Sequence, residues 1–132
     1  LRIFGCFGEH EESTRFFNTN INRYIDNQPI QLVKDRKMDF IYAGDLYKII
    51  KYYLDGNDAP KDLNCVYKRK YMLSDIAEMI NRLGSYKVDI QSEGQFSVFP
   101  YIGKANDLPI EYDGLVNGIR KVYEKYLRQR NV

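Results

Sequence analysis

Residues 1–8 (LRIFGCFG) carry the pattern that decides the fold. The run is largely apolar and ends at a glycine, which is typical of a short buried strand that enters a turn. A polar loop follows at residues 8–12, and the spacing of Phe17, Ile21 and Ile25 then predicts an amphipathic helix. A buried strand, a polar loop and a helix in this order indicate a chain in which strands and helices alternate.

The rest of the chain continues this alternation. Further strands are predicted at residues 30–33, 39–43, 63–67 and 86–90. Helices are predicted at residues 13–26, 45–56, 74–84 and from 113 onward. Their expected N-caps are Ser13, Asp45, Ser74 or Asp75, and Asp113, and Gly56 is expected as a left-handed C-cap. Residues 92–109, rich in glycine, proline and polar side chains, are predicted to be mostly loop. This order is typical of the α/β or the α+β class.

The composition is that of an ordinary globular chain. Of its 132 residues, 44% are hydrophobic and 29% are charged, which is enough apolar material for a core. The net charge is +2, with basic and acidic side chains interspersed. Because bulk binding to nucleic acid or to a membrane requires a basic face, neither partner is expected.

Cellular location is predicted from three features. No apolar stretch approaches the ~20 residues that cross a bilayer, and no signal peptide is visible. Cys6 and Cys65 lie in apolar runs, with the spacing of neither a metal pair nor a disulfide framework, so both are predicted to be buried free thiols. We therefore expect a cytoplasmic protein. The start at Leu1, without a methionine and inside a strand-like run, predicts a fragment of a longer chain.

The glycine-rich loops that bind nucleotides are missing from the sequence. Neither G-x-G-x-x-G nor a P-loop occurs, so no cofactor-binding residue and no metal ligand is assigned to this chain. Tyr47 and Lys51 match Tyr-x-x-x-Lys, but their neighbours are those of an ordinary amphipathic helix. We do not interpret this pair as catalytic.

Two segments carry candidate functional residues. His10, the sole histidine, lies in the loop after the first strand, where α/β enzymes place much of their chemistry. An imidazole there suits acid–base work near neutrality, and a solvated surface histidine is the structural alternative. Residues 35–45 (DRKMDFIYAGD) form either a phosphate-contacting basic turn beside aromatic walls or a solvated turn, a core strand and a helix cap. The residues alone leave both alternatives open.

Several segments, in order, resemble the extended short-chain dehydrogenases/reductases that act on nucleotide sugars. Residues 1–8 are similar to the family's L-R-x-F-N-x-Y-G strand, and residues 38–45 (MDFIYAGD) to its R-D-F-I-Y-V-D-D segment. Residues 63–67 (LNCVY) and 71–77 (YMLSDIA) resemble its Y-N-V strand and its L-S-x-x-E-I-A helix start. Residues 114–120 (GLVNGIR) resemble its closing G-L-x-x-G-I helix.

The resemblance implies an α/β fold: the last strand of a Rossmann domain followed by a small mixed α/β lobe that binds the substrate. Residues 1–132 would then be the C-terminal substrate-binding portion of an NAD(P)-dependent epimerase/dehydratase, inactive alone. The N-terminal half that binds NAD or NADP, with its glycine loop and its Tyr-x-x-x-Lys, would lie upstream. The parent would convert a nucleoside-diphosphate sugar by epimerisation, dehydration or ketone reduction, and would be a homodimer through helices absent here.

The resemblance also suggests roles for individual residues. His10 stands in a context, residues 8–11 (GEHE), similar to the G-P-H-D of the GDP-fucose synthase branch, where the histidine works with a cysteine as an acid/base pair. The resemblance implies that the partner cysteine would lie upstream, since Cys6 belongs to the strand. Gly5 and Met38 stand where the family has a substrate-holding asparagine and a diphosphate-contacting arginine. We therefore predict His10 as the acid/base residue. The predicted substrate-binding residues are Arg36, Lys37 and Tyr42, with Arg15 and Phe16 as further candidates. The alternative function is a non-catalytic α/β module that binds nucleotides or a partner protein.

Overall fold

The computed structural model describes residues 1–96 and 99–131. In chain order its elements are β1 (Cys6–Phe7), α1 (Phe16–Ile25), β2 (Ile30–Asp35), β3 (Ile41–Tyr42), α2 (Ala43–Leu54), α3 (Leu73–Ile80), β4 (Ile90–Phe96) and α4 (Gly114–Arg130). The predicted order of strand and helix segments is therefore largely confirmed.

The named strands form two parallel pairs within the described residues. β1 pairs with β3, so that Cys6 lies opposite Ile41. β2 pairs with β4, with an irregularity in the register between Leu32 and Lys34. Parallel strands need long crossover connections, and helices supply them here. Of the two classes that the sequence allowed, the structure shows α/β.

The main core lies between β1, β3 and three of the helices. Phe7 of β1 stacks on Phe17 of α1 with ring centroids 4.0 Å apart, and Ile119 of α4 is fully buried in the same cluster. A smaller core beside α2 contains Ile41, Ile49, Leu63 and Cys65. The apolar stripes predicted for α1, α3 and α4 therefore face inward, whereas Ile50 and Leu54 of the stripe predicted for α2 are exposed.

Three predicted strands differ from the structure. The strand predicted at residues 39–43 is reduced to β3, and Ala43 already belongs to α2. Residues 63–67 contribute one bridge, in which Asn64 lies parallel to Arg2, rather than a full strand. The strand predicted at residues 86–90 begins only at Ile90 and continues as β4 into the segment predicted to be loop. Pairing with β2 overrides the local glycine and polar signals, because it satisfies the backbone of this segment. The remainder of the predicted loop includes Ser97 and Val98, which lie outside the described residues.

The helix starts also differ from the predicted N-caps. Arg15 rather than Ser13 precedes α1, and Tyr42 rather than Asp45 precedes α2. Met72 precedes α3, and its backbone N–H donates to the carboxylate of Asp75 at 3.0 Å. Asp113 occupies the N-cap position of α4, as predicted, but its side chain makes no cap hydrogen bond.

Cys6 corrects a further prediction, because it is exposed, whereas Cys65 is buried as expected. Cys6 is the first of the two residues of β1, and only the second, Phe7, points into the core. Within the described residues no helix is long and apolar enough to cross a membrane. In the same residues no three His, Cys, Asp or Glu side chains are placed so that they could hold a metal ion.

Candidate functional site

A cavity of about 550 Å³ opens at the carboxyl end of β1. Its walls come from β1, from the loop between β1 and α1, and from Ala43 at the start of α2. In parallel α/β sheets, ligands bind at the carboxyl ends of the strands, where backbone and loop groups converge. The position of this cavity is therefore that of a binding site.

Close backbone packing shapes the cavity wall. A Cβ built on Gly8 would lie 2.8 Å from the Cβ of Ala43, so the loop leaves β1 through a space that only glycine fits. The loop is then held on the first turn of α1. Asn18 donates its backbone N–H to Glu11 Oε2 at 3.2 Å, and its Nδ2 donates to the Glu11 carbonyl at 2.9 Å.

His10 lies at the cavity, on the exposed side of this loop. Its Nε2 is 3.3 Å from Nζ of Lys125, which belongs to α4. Because an ammonium group can only donate, Nε2 is the acceptor in this contact, and the contact orients the ring. The position is compatible with the predicted acid/base role.

Glu11 also lines the cavity and was not predicted as a site residue. Burial raises the pKa of its carboxyl to about 7, although the Asn18 amide and the nearby Arg15 both act to lower it. A carboxyl that titrates near neutrality can both give and take a proton at physiological pH. Its place just before a helix N-terminus is visible in the sequence. Its burial is not, because the packing of other segments creates it.

Tyr42 lies behind the cavity wall rather than in it. Its side chain is buried, at 6% exposure, and its hydroxyl donates a hydrogen bond of 2.6 Å to Glu9 Oε1. Burial, and then the hydrogen bond to Glu9, raise the pKa of this hydroxyl well above its usual range. Among the described contacts, Tyr42 therefore supports the loop that carries His10.

Arg15 lies at the cavity, whereas Phe16 packs against the core. Arg15 lines the cavity with a side chain that is 69% exposed, 4.0 Å from the carboxylate of Glu12. Phe16 is half-buried, with its ring edge-on to Phe17 at 5.5 Å between centroids and parallel to Phe40 at 6.4 Å. The structure thus brings Arg15, and not Phe16, together with His10.

Arg36 and Lys37 lie outside the cavity lining. The Arg36 guanidinium lies 5.7 Å from the ring centroid of Tyr101. The Tyr101 ring packs edge-on against Phe4, a cavity residue, at 5.1 Å between centroids. Arg36 is therefore one aromatic ring removed from the cavity wall, and Lys37 is exposed on the same turn.

Gly5 and Met38, which stand where the resemblance implies an asparagine and an arginine, each have contacts of their own in this structure. A Cβ on Gly5 would lie 2.7 Å from the Phe40 ring and 3.0 Å from the Asp39 carbonyl, so an asparagine fits there only if this ring moves. The Met38 sulfur accepts a weak hydrogen bond from Arg36 at 3.7 Å. In place of an arginine, position 38 thus holds the neighbouring arginine against Tyr101.

We expect replacement of Glu11 by glutamine to change how stability depends on pH. The folded-state pKa of Glu11 is raised from 4.5 to about 7. The protonated Glu11 carboxyl therefore makes its full contribution to wild-type stability below pH 4.5, and this contribution is lost as the pH rises through about 7. Glutamine does not ionise, so E11Q does not lose this stability. At pH 8 it should be more stable than wild type by about 2 kcal/mol, after allowance for solvent screening. The two proteins should not differ in this respect at pH 4.

Urea unfolding of both proteins between pH 4 and pH 8.5 measures this difference. Glu124→Gln, an exposed change of the same chemistry in α4, is the matched control. Parallel pH profiles for wild type and E11Q would contradict the prediction.

This chain resembles known proteins in structure rather than in sequence. No family model matches the sequence, and no curated protein matches it. Solved structures do match. UDP-N-acetylglucosamine 4-epimerase from Methanobrevibacter ruminantium M1, in complex with UDP-N-acetylmuramic acid, aligns with a TM-score of 0.78 and 14% identity over 97% of this chain and 45% of its own.

Two further solved structures align with nearly the whole of this chain. UDP-glucuronic acid 4-epimerase from Bacillus cereus, in complex with UDP-glucuronic acid and NAD, aligns with a TM-score of 0.72 and 16% identity over 98% of this chain and 44% of its own. For dTDP-glucose 4,6-dehydratase from Bacillus anthracis, in complex with NAD, the TM-score is 0.74 and the identity 12%, over 96% of this chain and 43% of its own.

At these identities the likeness establishes the fold. The chain spans less than half the length of these structures. It has the mixed α/β fold, with parallel strands, of part of the Rossmann-type extended short-chain dehydrogenase/reductase structures.

Proposed function

We propose that this chain is the C-terminal, substrate-binding portion of an NAD(P)-dependent enzyme that epimerises, dehydrates or reduces a nucleoside-diphosphate sugar. The observation that carries the proposal is the cavity of about 550 Å³ at the carboxyl end of β1, lined by His10, Glu11 and Arg15. Its volume suits a sugar ring. Its lining combines groups that move protons with one cation, Arg15, which stands beside three glutamates.

The structural neighbours support this function. Some of them are epimerases or dehydratases whose structures contain UDP-sugars, NAD or both. Because this chain covers less than half of each, we propose that an upstream segment binds most of the nicotinamide cofactor and that the chain is inactive alone. Homodimerisation would likewise use helices outside this chain. Since both cysteines are free thiols, we further propose a cytoplasmic protein.

We propose that this chain does not hold the cofactor by itself, since its sequence has no glycine-rich loop for the pyrophosphate. The cofactor, when bound, would supply hydride transfer. This chain's own residues would bind and orient the sugar nucleotide and handle protons. Arg15 at the cavity, with Arg36 and Lys37 beyond Tyr101, would attract the diphosphate, and Tyr42 and Phe16 would support the wall.

His10 would act on a keto form of the sugar. A carbonyl group acidifies the C–H bonds beside it, so a base can remove that proton while the electron pair moves into the carbonyl. Return of a proton to the opposite face inverts the carbon. The branch with G-P-H-D in this loop motivates His10 for this step, and the cavity position supports it.

The test uses the complete polypeptide encoded by the gene, with NAD or NADP and a panel of UDP-, dTDP- and GDP-sugars in D₂O. We expect turnover, detected by NMR of the products, with deuterium entering a carbon that flanks the carbonyl. His10→Gln should lower deuterium entry at least about 100-fold. Glu78→Gln, an exposed change in α3, is the control.

Turnover of no nucleotide sugar would contradict the proposed function. In that case, tight and selective binding of a nucleotide by this chain alone would favour a non-catalytic binding module. Turnover with unchanged deuterium entry in His10→Gln would remove only His10 from the mechanism.

A further inference from the structure

Five side chains that can carry protons line the same cavity: Cys6, Glu9, His10, Glu11 and Glu12. His10 has a role in the proposed function, whereas the other four have none. Glu9 already accepts the Tyr42 hydroxyl, and Glu12 is exposed beside Arg15. Glu11 is better placed, because the α1 terminus fixes its carboxyl on one side. Its Oε2 accepts the Asn18 amide, and within the described residues no hydrogen bond reaches Oε1.

The surroundings of Glu11 favour a carboxyl that changes protonation near neutral pH. Arg15 is the nearby cation, and it acts with the Asn18 amide against the effect of burial. Behind the loop, the Tyr126 hydroxyl of α4 is buried without a hydrogen-bond partner among the described residues. Burial, Glu11 and then Glu9 raise the pKa of that hydroxyl, so it stays neutral.

Cys6 is less suited to proton transfer. Although the residue as a whole is exposed, neighbouring atoms partly desolvate its thiol and raise the pKa of that group, and the charges of Glu11 and Cys65 raise it further. A thiol in this environment stays protonated at neutral pH and is a weak base.

We propose that Glu11 is a second proton-transfer residue of this site, paired with His10 for inversion at a carbon beside the carbonyl of a keto-sugar nucleotide. This inference rests on the proposed function. One of the two groups takes the proton when the C–H bond breaks, and the electron pair moves into the carbonyl to give an enol or enolate. The other group delivers its proton as the new C–H bond forms. No electrons are gained or lost overall, and exchange with water restores both groups.

The first test compares wild type, Glu11→Gln and Glu124→Gln in the complete polypeptide with cofactor and nucleotide sugar in D₂O. Glutamine keeps the hydrogen bond from Asn18 but cannot transfer a proton. We expect E11Q to lower inversion at least about 100-fold and to lower deuterium entry far less, since His10 still exchanges its own proton. A merely structural loss would lower both rates together.

The outcomes separate the two proposals. Inversion by E11Q within about threefold of wild type would overturn the role of Glu11 and leave the proposed function standing. The same conclusion would follow if wild type turned over nucleotide sugars without inverting any carbon. Absence of any turnover by wild type would overturn the proposed function, and the role of Glu11 with it.

The second test needs no activity and uses this chain alone. The Glu11 carboxylate raises the pKa of the Cys6 thiol, so E11Q should speed alkylation of Cys6 by iodoacetamide at pH 8. At pH 5.5, where Glu11 is protonated, the two rates should agree. Peptide mass spectrometry distinguishes Cys6 from the buried Cys65. If Cys6 of wild type and of E11Q were alkylated at equal rates at pH 8, Glu11 would not ionise beside this thiol, and the proposal would be overturned.

Discussion

Replacement of Asp45 by alanine should lower the free energy of unfolding by about 3–5 kcal/mol. Asp45 lies in the first turn of α2 and is 0% exposed. Its Oδ1 accepts the backbone N–H of Asp113 at 2.8 Å, and its Oδ2 accepts that of Gly114 at 3.0 Å. The Tyr67 hydroxyl also donates to Oδ2, at 2.5 Å. Alanine would leave all three donors without this acceptor and would remove the anion at the α4 N-terminus.

Urea denaturation at pH 7 measures the loss. Asp45→Asn keeps one acceptor oxygen and should cost less than alanine. Asp55→Ala, which removes an exposed partner of Lys51 at the end of α2, should stay within about 1 kcal/mol of wild type. A loss below about 1 kcal/mol for Asp45→Ala would contradict the capping role.

The second large effect concerns Lys70, which pairs with the buried Asp39. Lys70 Nζ lies 2.9 and 2.8 Å from the two carboxylate oxygens, and Asp39 is 4% exposed. Lys70→Met should destabilise the chain by about 3–5 kcal/mol, because it leaves a buried carboxylate without its cation. The same carboxylate accepts the backbone N–H of Gly103 at 2.8 Å. Because Gly103 lies beside the ring of the cavity residue Phe4, the loop that contains Gly103 should become less ordered as well.

A double-mutant cycle isolates this pair. Asp39→Asn combined with Lys70→Met removes the unpaired charge and keeps an acceptor for Gly103, so the double variant should be more stable than Lys70→Met. Lys68→Met, which removes an exposed ion pair with Asp107, is the control. Additive losses in the cycle would contradict the predicted coupling.

Local sequence patterns were informative about the order of elements and about the loop at the cavity. Apolar spacing placed the helices to within a few residues, since one helix face must be buried whatever it packs against. Gly56 has the positive φ of 78° that a left-handed C-cap requires. His10 and Arg15 could be predicted as cavity residues because loops after buried strands collect at one edge of an α/β sheet.

Other features depend on partners that are distant in the chain. Asp45 was expected to cap its own helix, but it caps α4. Glu11 was not expected at all, since its raised pKa arises from burial by other segments. Arg36 stays a predicted substrate residue, and its contact with Tyr101, which is 65 positions further along the chain, could not be seen in the sequence.

The sequence by itself determined the alternation of strands and helices, the apolar faces, and the polar loop that follows the opening residues 1–8. These follow from local periodicity and turn chemistry. Only the tertiary structure decided that residues 90–96 form a strand, that Cys6 is exposed, and that Glu11 joins His10 in one cavity. The physical reason is that strand pairing, burial and the pKa of a carboxyl are set by neighbours in space, and those neighbours come from remote segments of the chain.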